Sequence, residues 1–197
     1  MKRTFFSLAL LLAVATLTAQ TKMTAREAAV KIADRILAST TYEFKNTKTG
    51  EIYKSVKKLP LDMDVKVACK YNNWHYTNGV TNMALMELGD KLGDKKYEKY
   101  VLKNMNFVFN EGNLDFFRKQ YDEAFKRDGW NAVRKLSWHM IFRGKRLDDN
   151  GPMGASLIEL QLKYPNDSFL GYINETAEHL NYGEPRLVDG TIARIWP

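Results

Sequence analysis

Beyond residue 20 the apolar positions of the chain recur at intervals of three and four, and hardly anywhere at intervals of two. That spacing winds each apolar set onto one side of a helix. "MTAREAAVKIADRILAST" is the clearest case: Thr24 and Glu27 make a Thr-x-x-Glu capping box, and Val30, Ala33, Ile36 and Leu37 form one stripe. Residues 42–73 carry polar turns ("KNTKTGE", "KKLP") and read as a long loop with a short extended piece around Ile52–Tyr53. After the aromatic cluster at Trp74, "WHYTNGVTNMALMELGDKLGD" places Val80, Ala84, Leu88 and Leu92 four residues apart, and Gly89 and Gly93 loosen its end. Asp94 can cap the next segment, in which Tyr97, Val101, Met105 and Val108 repeat. The stretch from Asn113 continues in the same style to Phe142, with a break at Asp128–Gly129. A further helix is expected to begin near Gly151 or Pro152, and a last one carries Leu170, Ile173, Ala177 and Leu180 on one face, with Gly183 as its stop. Short connections between these segments predict antiparallel helical hairpins, hence an all-α fold. No repeat of fixed length is visible, so a solenoid is not indicated.

The first nineteen residues follow a different rule. Lys2 and Arg3 precede an apolar run from Phe5 to Leu17 that ends in small residues around Ala19. This is the pattern of a secretory signal peptide over 1–19, with cleavage near Ala19–Gln20 and residues 20–197 as one domain. The run is short for a membrane span, and no stop-transfer pattern follows it. A secreted or periplasmic location follows, with no membrane partner after cleavage. Cys69 is the only cysteine, so the exported chain has no intramolecular disulfide and depends on its core. "VKVACKYNN" offers no thiolate-stabilising neighbour, and Cys69 reads as a small buried residue. The formal charge of +7 becomes +5 once Lys2 and Arg3 leave with the signal. That excess could attract an acidic partner such as a polyuronide, nucleic acid or a membrane surface, but scattered charges of this kind read first as an ordinary solvated surface. Its lysines and arginines are scattered among acidic residues, without the basic stripe or reading helix of a nucleic-acid binder.

Chemistry concentrates in "RLDDNGPMGASLIEL". Pro152 suits a first helical position, Asn150 or Asp149 suits the cap, and Gly151, Gly154 and Ala155 leave a small face for close packing. One carboxylate is enough for capping. The second of the pair Asp148–Asp149 is left at the positive end of a helix dipole, where it stays ionised and could serve as a general base. "YNNWHYTNGV" sets Trp74, His75 and Tyr76 just before a helix; such rings suit the apolar faces of sugars and equally suit inter-helix packing. His139, in "LSWHMIF", reads as a core histidine, and His179 has no partner at a metal-ligand spacing. No phosphate loop, nucleophile elbow or zinc signature is present, so no cofactor or metal is called for.

"LDDNGPMGASLIEL", "WHYTNGV" and the closing "DGTIARIWP" together resemble glycoside hydrolase family 105, the unsaturated rhamnogalacturonyl hydrolases. The resemblance runs over most of the chain after the leader, and Leu-Asp-Asp-x-Gly-x-Met-Gly is its most specific part. It implies an (α/α)6 barrel of helical hairpins, present here in incomplete form, and a metal-free enzyme. Such an enzyme removes a 4,5-unsaturated uronic acid from pectin fragments by hydrating the double bond. It also implies a catalytic role for Asp149, with Asp148 as the alternative, and a uronate pocket lined by Trp74 and Tyr76. Arg194 would lie near the substrate carboxylate, a role its planar fork suits; a surface position and a contact to the rest of the barrel are the other readings of this residue. The family's second catalytic aspartate sits in a Trp-Val-Asp-Asp motif expected beyond a segment like "DGTIARIWP", and the sequence stops at Pro197 before any such motif. The expectation is therefore the N-terminal part of an unsaturated rhamnogalacturonyl hydrolase, partial or inactive as it stands. A non-catalytic helical carbohydrate-binding or interaction protein is the competing class.

Overall fold

The computed structural model describes residues 23–110, 112–143 and 147–193, without the side chain of Asp149. The signal segment 1–19 and Arg194 lie outside the described residues. The chain divides into two compact units, Met1–Asp34 and Arg35–Pro197. In the first unit the described part is the start of helix α1 (Ala25–Ser39). Its capping box is closed in both directions: the Thr24 N–H donates to Glu27 Oε2 (2.8 Å), and the Glu27 N–H donates to Thr24 Oγ1 (3.2 Å). Donation from the Thr24 N–H holds the Glu27 carboxyl below its ordinary range.

The second unit is mostly helical, with one small sheet. Residues 42–73 are not a loop: strand β1 (Phe44–Asn46) pairs antiparallel with β2 (Ile52–Tyr53) on one side and β3 (Val65–Val67) on the other. The register sets Phe44 opposite Tyr53 and Val67, and Asn46 opposite Val65. Only the piece at Ile52–Tyr53 was legible as extended. β1 alternates buried, exposed, buried, but its second buried position is an asparagine, so no apolar alternation marks it. Asn46 belongs there because its Oδ1 accepts from the N–H groups of Lys48 and Thr49 and closes the turn to β2. Buried Gln120 fastens the sheet to the helices by donating to the carbonyls of Asp62 and Val65.

Helix α2 (Tyr76–Leu92) follows, then α3 (Lys96–Phe109), α4 (Asn113–Val133), α5 (His139–Arg143), α6 (Leu147–Lys163) and α7 (Asp167–Glu178), which runs on into a π-turn at His179–Gly183. α3 buries Tyr97, Val101, Met105 and Val108 as their spacing predicts. α4 is kinked at Asp128–Gly129, where the backbone leaves helical angles (Gly129 φ 51°), again as read from the sequence. Two faces differ from expectation. In α2 the stripe Val80, Ala84, Leu88, Leu92 is not the buried one: Val80 is 56% exposed, and the helix buries Asn78, Gly79, Asn82, Leu85, Met86 and Gly89 instead. Asn78 can be interior because its amide donates to the Lys70 and Asn73 carbonyls (2.9 and 2.7 Å). In α7 the buried residues are Phe169 and Tyr172, while Leu170 and Ala177 are exposed. The two rings remove more apolar area from water than the aliphatic set would, and they pack on Phe109.

The relation of α2 to α6 positions everything that follows. Their N-terminal ends meet where Trp74, just before α2, donates from Nε1 to Asn150 Oδ1 (3.3 Å), and their last turns meet where Lys163 Nζ lies 3.5 Å from Asp90 Oδ1. The two helices therefore run side by side in the same direction. Gly79 permits the contact, since a Cβ there would collide with the backbone of Pro152 and Met153. A second aromatic core links Phe44, Phe107, Phe117 and Trp138 between the sheet and α3–α4. Trp138 is fully buried with φ 57°, a costly backbone state held by this packing and by Nε1 donating to the Asn72 carbonyl (2.7 Å).

Candidate functional site

Helix α6 begins at Leu147, four to five residues earlier than its composition predicts. Asp148 and Asp149 are consequently first-turn residues, Asn150 lies inside the helix, and Pro152 is an interior proline. A proline at this point gives no N–H to the Asp148 carbonyl, a loss tolerable so close to a helix start, where carbonyl partners are set by the first turn. The capping role expected of Asp149 or Asn150 is therefore overturned. Asp148 is exposed at the helix mouth. Asp149 takes its place in the helical backbone, and its side chain lies outside the described residues.

Asn150 does something the sequence did not announce. Buried at 5% exposure, its Oδ1 accepts from Trp74 Nε1 and from the Tyr172 hydroxyl (2.9 Å). One amide thus joins the segment before α2, the first turn of α6 and the middle of α7. Trp74 is 1% exposed, its ring edge-on to Phe109 and Tyr172 at 5.9 and 5.0 Å. Burial pushes the Tyr172 hydroxyl well above the ordinary tyrosine range, so it stays protonated and donates. The only hint in the sequence was an asparagine following two aspartates, which a capping rule absorbs more readily than a buried acceptor.

Trp74 and Tyr76, expected to share one pocket, face different surroundings. Tyr76 is 45% exposed, and its ring leans on His75 at 4.5 Å and 37°. His75 is the N-cap of α2: Nδ1 accepts from the Thr77 N–H (3.4 Å) and contacts Thr77 Oγ1 (2.9 Å). Because α2 and α6 are parallel and joined through Trp74 and Asn150, His75, Tyr76 and the Asp148–Asp149 pair lie at the same end of the helix pair. Two helix N-termini side by side direct their free N–H groups and positive dipole ends to that end.

The remaining candidates are structural. His139 is half-buried with Nδ1 2.7 Å from the Leu136 carbonyl, and Cys69 is buried. His179 Nε2 pairs with Glu184 Oε1 at 3.1 Å. The segment before Arg194 is a short hairpin: Leu187 N–H donates to the Thr191 carbonyl, Ala193 N–H donates to the Pro185 carbonyl, and Arg186 pairs with Ile192 across it. Arg186 fixes the turn by donating to the Gly190 and Leu180 carbonyls. Among the described residues no group of three or more His, Cys, Asp or Glu side chains could hold a metal, and no helix is long and apolar enough to cross a membrane. The chain matches no protein-family profile and no curated protein.

Proposed function

We propose that this chain is part of a glycoside hydrolase acting on 4,5-unsaturated uronic acids of pectin fragments, with Asp149 as a catalytic group and the mouth of α2 and α6 as its site. The supporting observation is the parallel pairing of α2 and α6, which brings the two most distinctive motifs, "WHYTNGV" and "LDDNGPMG", to one end of the helix pair. Inner helices of an (α/α)6 barrel run parallel in this way, each followed by an antiparallel outer helix, and the three-residue links between α2 and α3 and between α6 and α7 are compatible with such hairpins. The positive end of the helix pair suits both ligand and catalyst. It favours the uronate carboxylate, and in this reading Asp149 takes a proton from water.

In the hydration, water adds across the double bond: its hydroxyl goes to one alkene carbon, and a proton from an acid goes to the other. Asp149 serves the water side, and exposed Tyr76 offers a ring face and a hydroxyl to the sugar. The donor to the second carbon is a second acid, which the resemblance to family 105 implies. The test is the loss of ultraviolet absorbance of an unsaturated rhamnogalacturonan disaccharide on incubation with the protein. Asp149→Asn should slow the reaction roughly 10²–10⁴-fold. Wild-type rates in that variant would refute the assignment. Saturable binding of the disaccharide with no turnover by the unmutated protein would favour the carbohydrate-binding class.

A further inference from the structure

We infer that a second, separate site binds a uronate residue: the cleft between the last turn of α1 and the segment Ala68–Tyr71, where Arg35 and Lys70 would hold the carboxylate. The uronate as ligand class rests on the function proposed above; the anionic character of the site does not. The cleft has a volume of about 560 Å³ and is lined by Arg35, Ser39, Thr41, Cys69, Lys70 and Tyr71, with Ala68 at its edge. That is within the range of small-molecule sites. Among the described residues neither Arg35 nor Lys70 has a carboxylate partner. A single unpaired surface lysine is ordinary. Arg35 and Lys70 are both exposed and bring two positive charges to one concavity, which an entering anion can balance.

The other lining groups suit a sugar bearing that anion. Ser39 Oγ donates to the Arg35 carbonyl (2.7 Å), which leaves its oxygen free to accept a ligand hydroxyl proton. Lys70 Nζ stands 5.2 Å from the centre of the Tyr71 ring, so charge and aromatic face occupy one wall. The walls are fixed before any ligand arrives. Asn72 Nδ2 donates to the Thr41 carbonyl (2.5 Å), Ala68 N–H donates to the Glu43 carbonyl (2.9 Å), and Asn78, in the first turn of α2, donates to the Lys70 carbonyl (2.9 Å). Such preorganisation lowers the ordering cost of binding. The last of these bonds also ties the cleft to the helix whose mouth carries His75 and Tyr76.

The test is a nitrogen-edited NMR titration of the full chain with digalacturonate, galactobiose and inorganic phosphate. Digalacturonate should shift the Ala68–Tyr71 amides saturably, galactobiose should leave them in place, and phosphate should bind more weakly than digalacturonate. Arg35→Gln or Lys70→Gln should each weaken digalacturonate about tenfold or more, with unfolding midpoints unchanged. The inference fails if digalacturonate gives no saturable shift, if galactobiose shifts the same amides equally, or if phosphate binds as tightly as digalacturonate. Digalacturonate has no double bond to hydrate, and Asp149→Asn should bind it as wild type does. Absence of binding beside intact hydration would therefore refute the cleft alone, and binding beside absent hydration would refute the catalytic reading alone.

Discussion

Asn150 has one amide oxygen and two donors, Trp74 Nε1 and the Tyr172 hydroxyl, drawn from different parts of the fold. A buried donor that loses its acceptor pays its full desolvation cost, so truncation here should hurt more than the loss of one ordinary hydrogen bond. Asn150→Ala is expected to lower stability by about 2–4 kcal/mol in urea unfolding, with far-ultraviolet helix content retained. A change below about 0.5 kcal/mol would show that the network carries nothing. Some individual residues were legible in advance because their chemistry is local. Thr24 and Glu27 close a capping box within one turn, and Asp128–Gly129 breaks a helix by its own backbone preferences. Asn150, Asn46 and Asn78 were not, since an asparagine is spelled the same whether it faces water, caps a turn or satisfies a distant carbonyl.

Between elements, the far ends of α3 and α6 are held by a charged cluster rather than by apolar contact. Glu98, 7% exposed, accepts from Lys163 Nζ at 2.5 Å and from the Tyr164 hydroxyl at 2.6 Å. The Lys163 and Tyr164 hydrogen bonds hold the Glu98 carboxyl below its ordinary value of 4.5. A carboxyl depressed in the folded state stabilises the fold above its unfolded value, and that contribution disappears as pH falls through the folded one. Lys163 is shifted the other way, upward, chiefly by the same hydrogen bond to Glu98, so its contribution is present at neutral pH and is lost only at strongly alkaline pH. Glu98→Gln should cost about 1.5–3 kcal/mol at pH 7, and the gap from wild type should close as pH falls into the acid range below the ordinary carboxylate value. A gap that stays constant from pH 7 into that acid range would refute the linkage. Element existence was largely readable for the helices, because a stripe at three- and four-residue spacing survives any tertiary context. The strands escaped notice because pieces of two and three residues are too short to display a period.

Across the molecule, the parallel packing of α2 and α6 spends small and polar residues on the contact and leaves aliphatic ones in water. Val80 is 56% exposed on α2, and Ile158 and Leu162 are 46% and 76% exposed on α6. Exposed apolar residues on adjacent helices favour association. The full chain should show concentration-dependent self-association in sedimentation velocity, and Ile158→Glu with Leu162→Glu should reduce it while leaving helix content intact. Monomeric behaviour of the unmutated chain over the whole accessible concentration range would contradict this. On α2 the buried face differs from the one its spacing predicts. Val80, Ala84, Leu88 and Leu92 satisfy every rule for a buried stripe, but α2 has two sides that could be interior, and Gly79 decides between them by admitting the backbone of Pro152 and Met153. By itself the sequence determined the helices, the cap at Thr24, the kink at Asp128–Gly129 and the two motifs worth attention, all of which depend on neighbours within a turn or two. The tertiary structure alone decided which face each helix buries, that α6 starts at Leu147, that Trp74 is interior and Tyr76 is not, and that the two motifs share one end of a helix pair. Those outcomes depend on area buried and on hydrogen bonds made between residues 22 to 76 positions apart, such as Asn150 with Tyr172 and Trp74 with Asn150, distances at which periodicity carries no information.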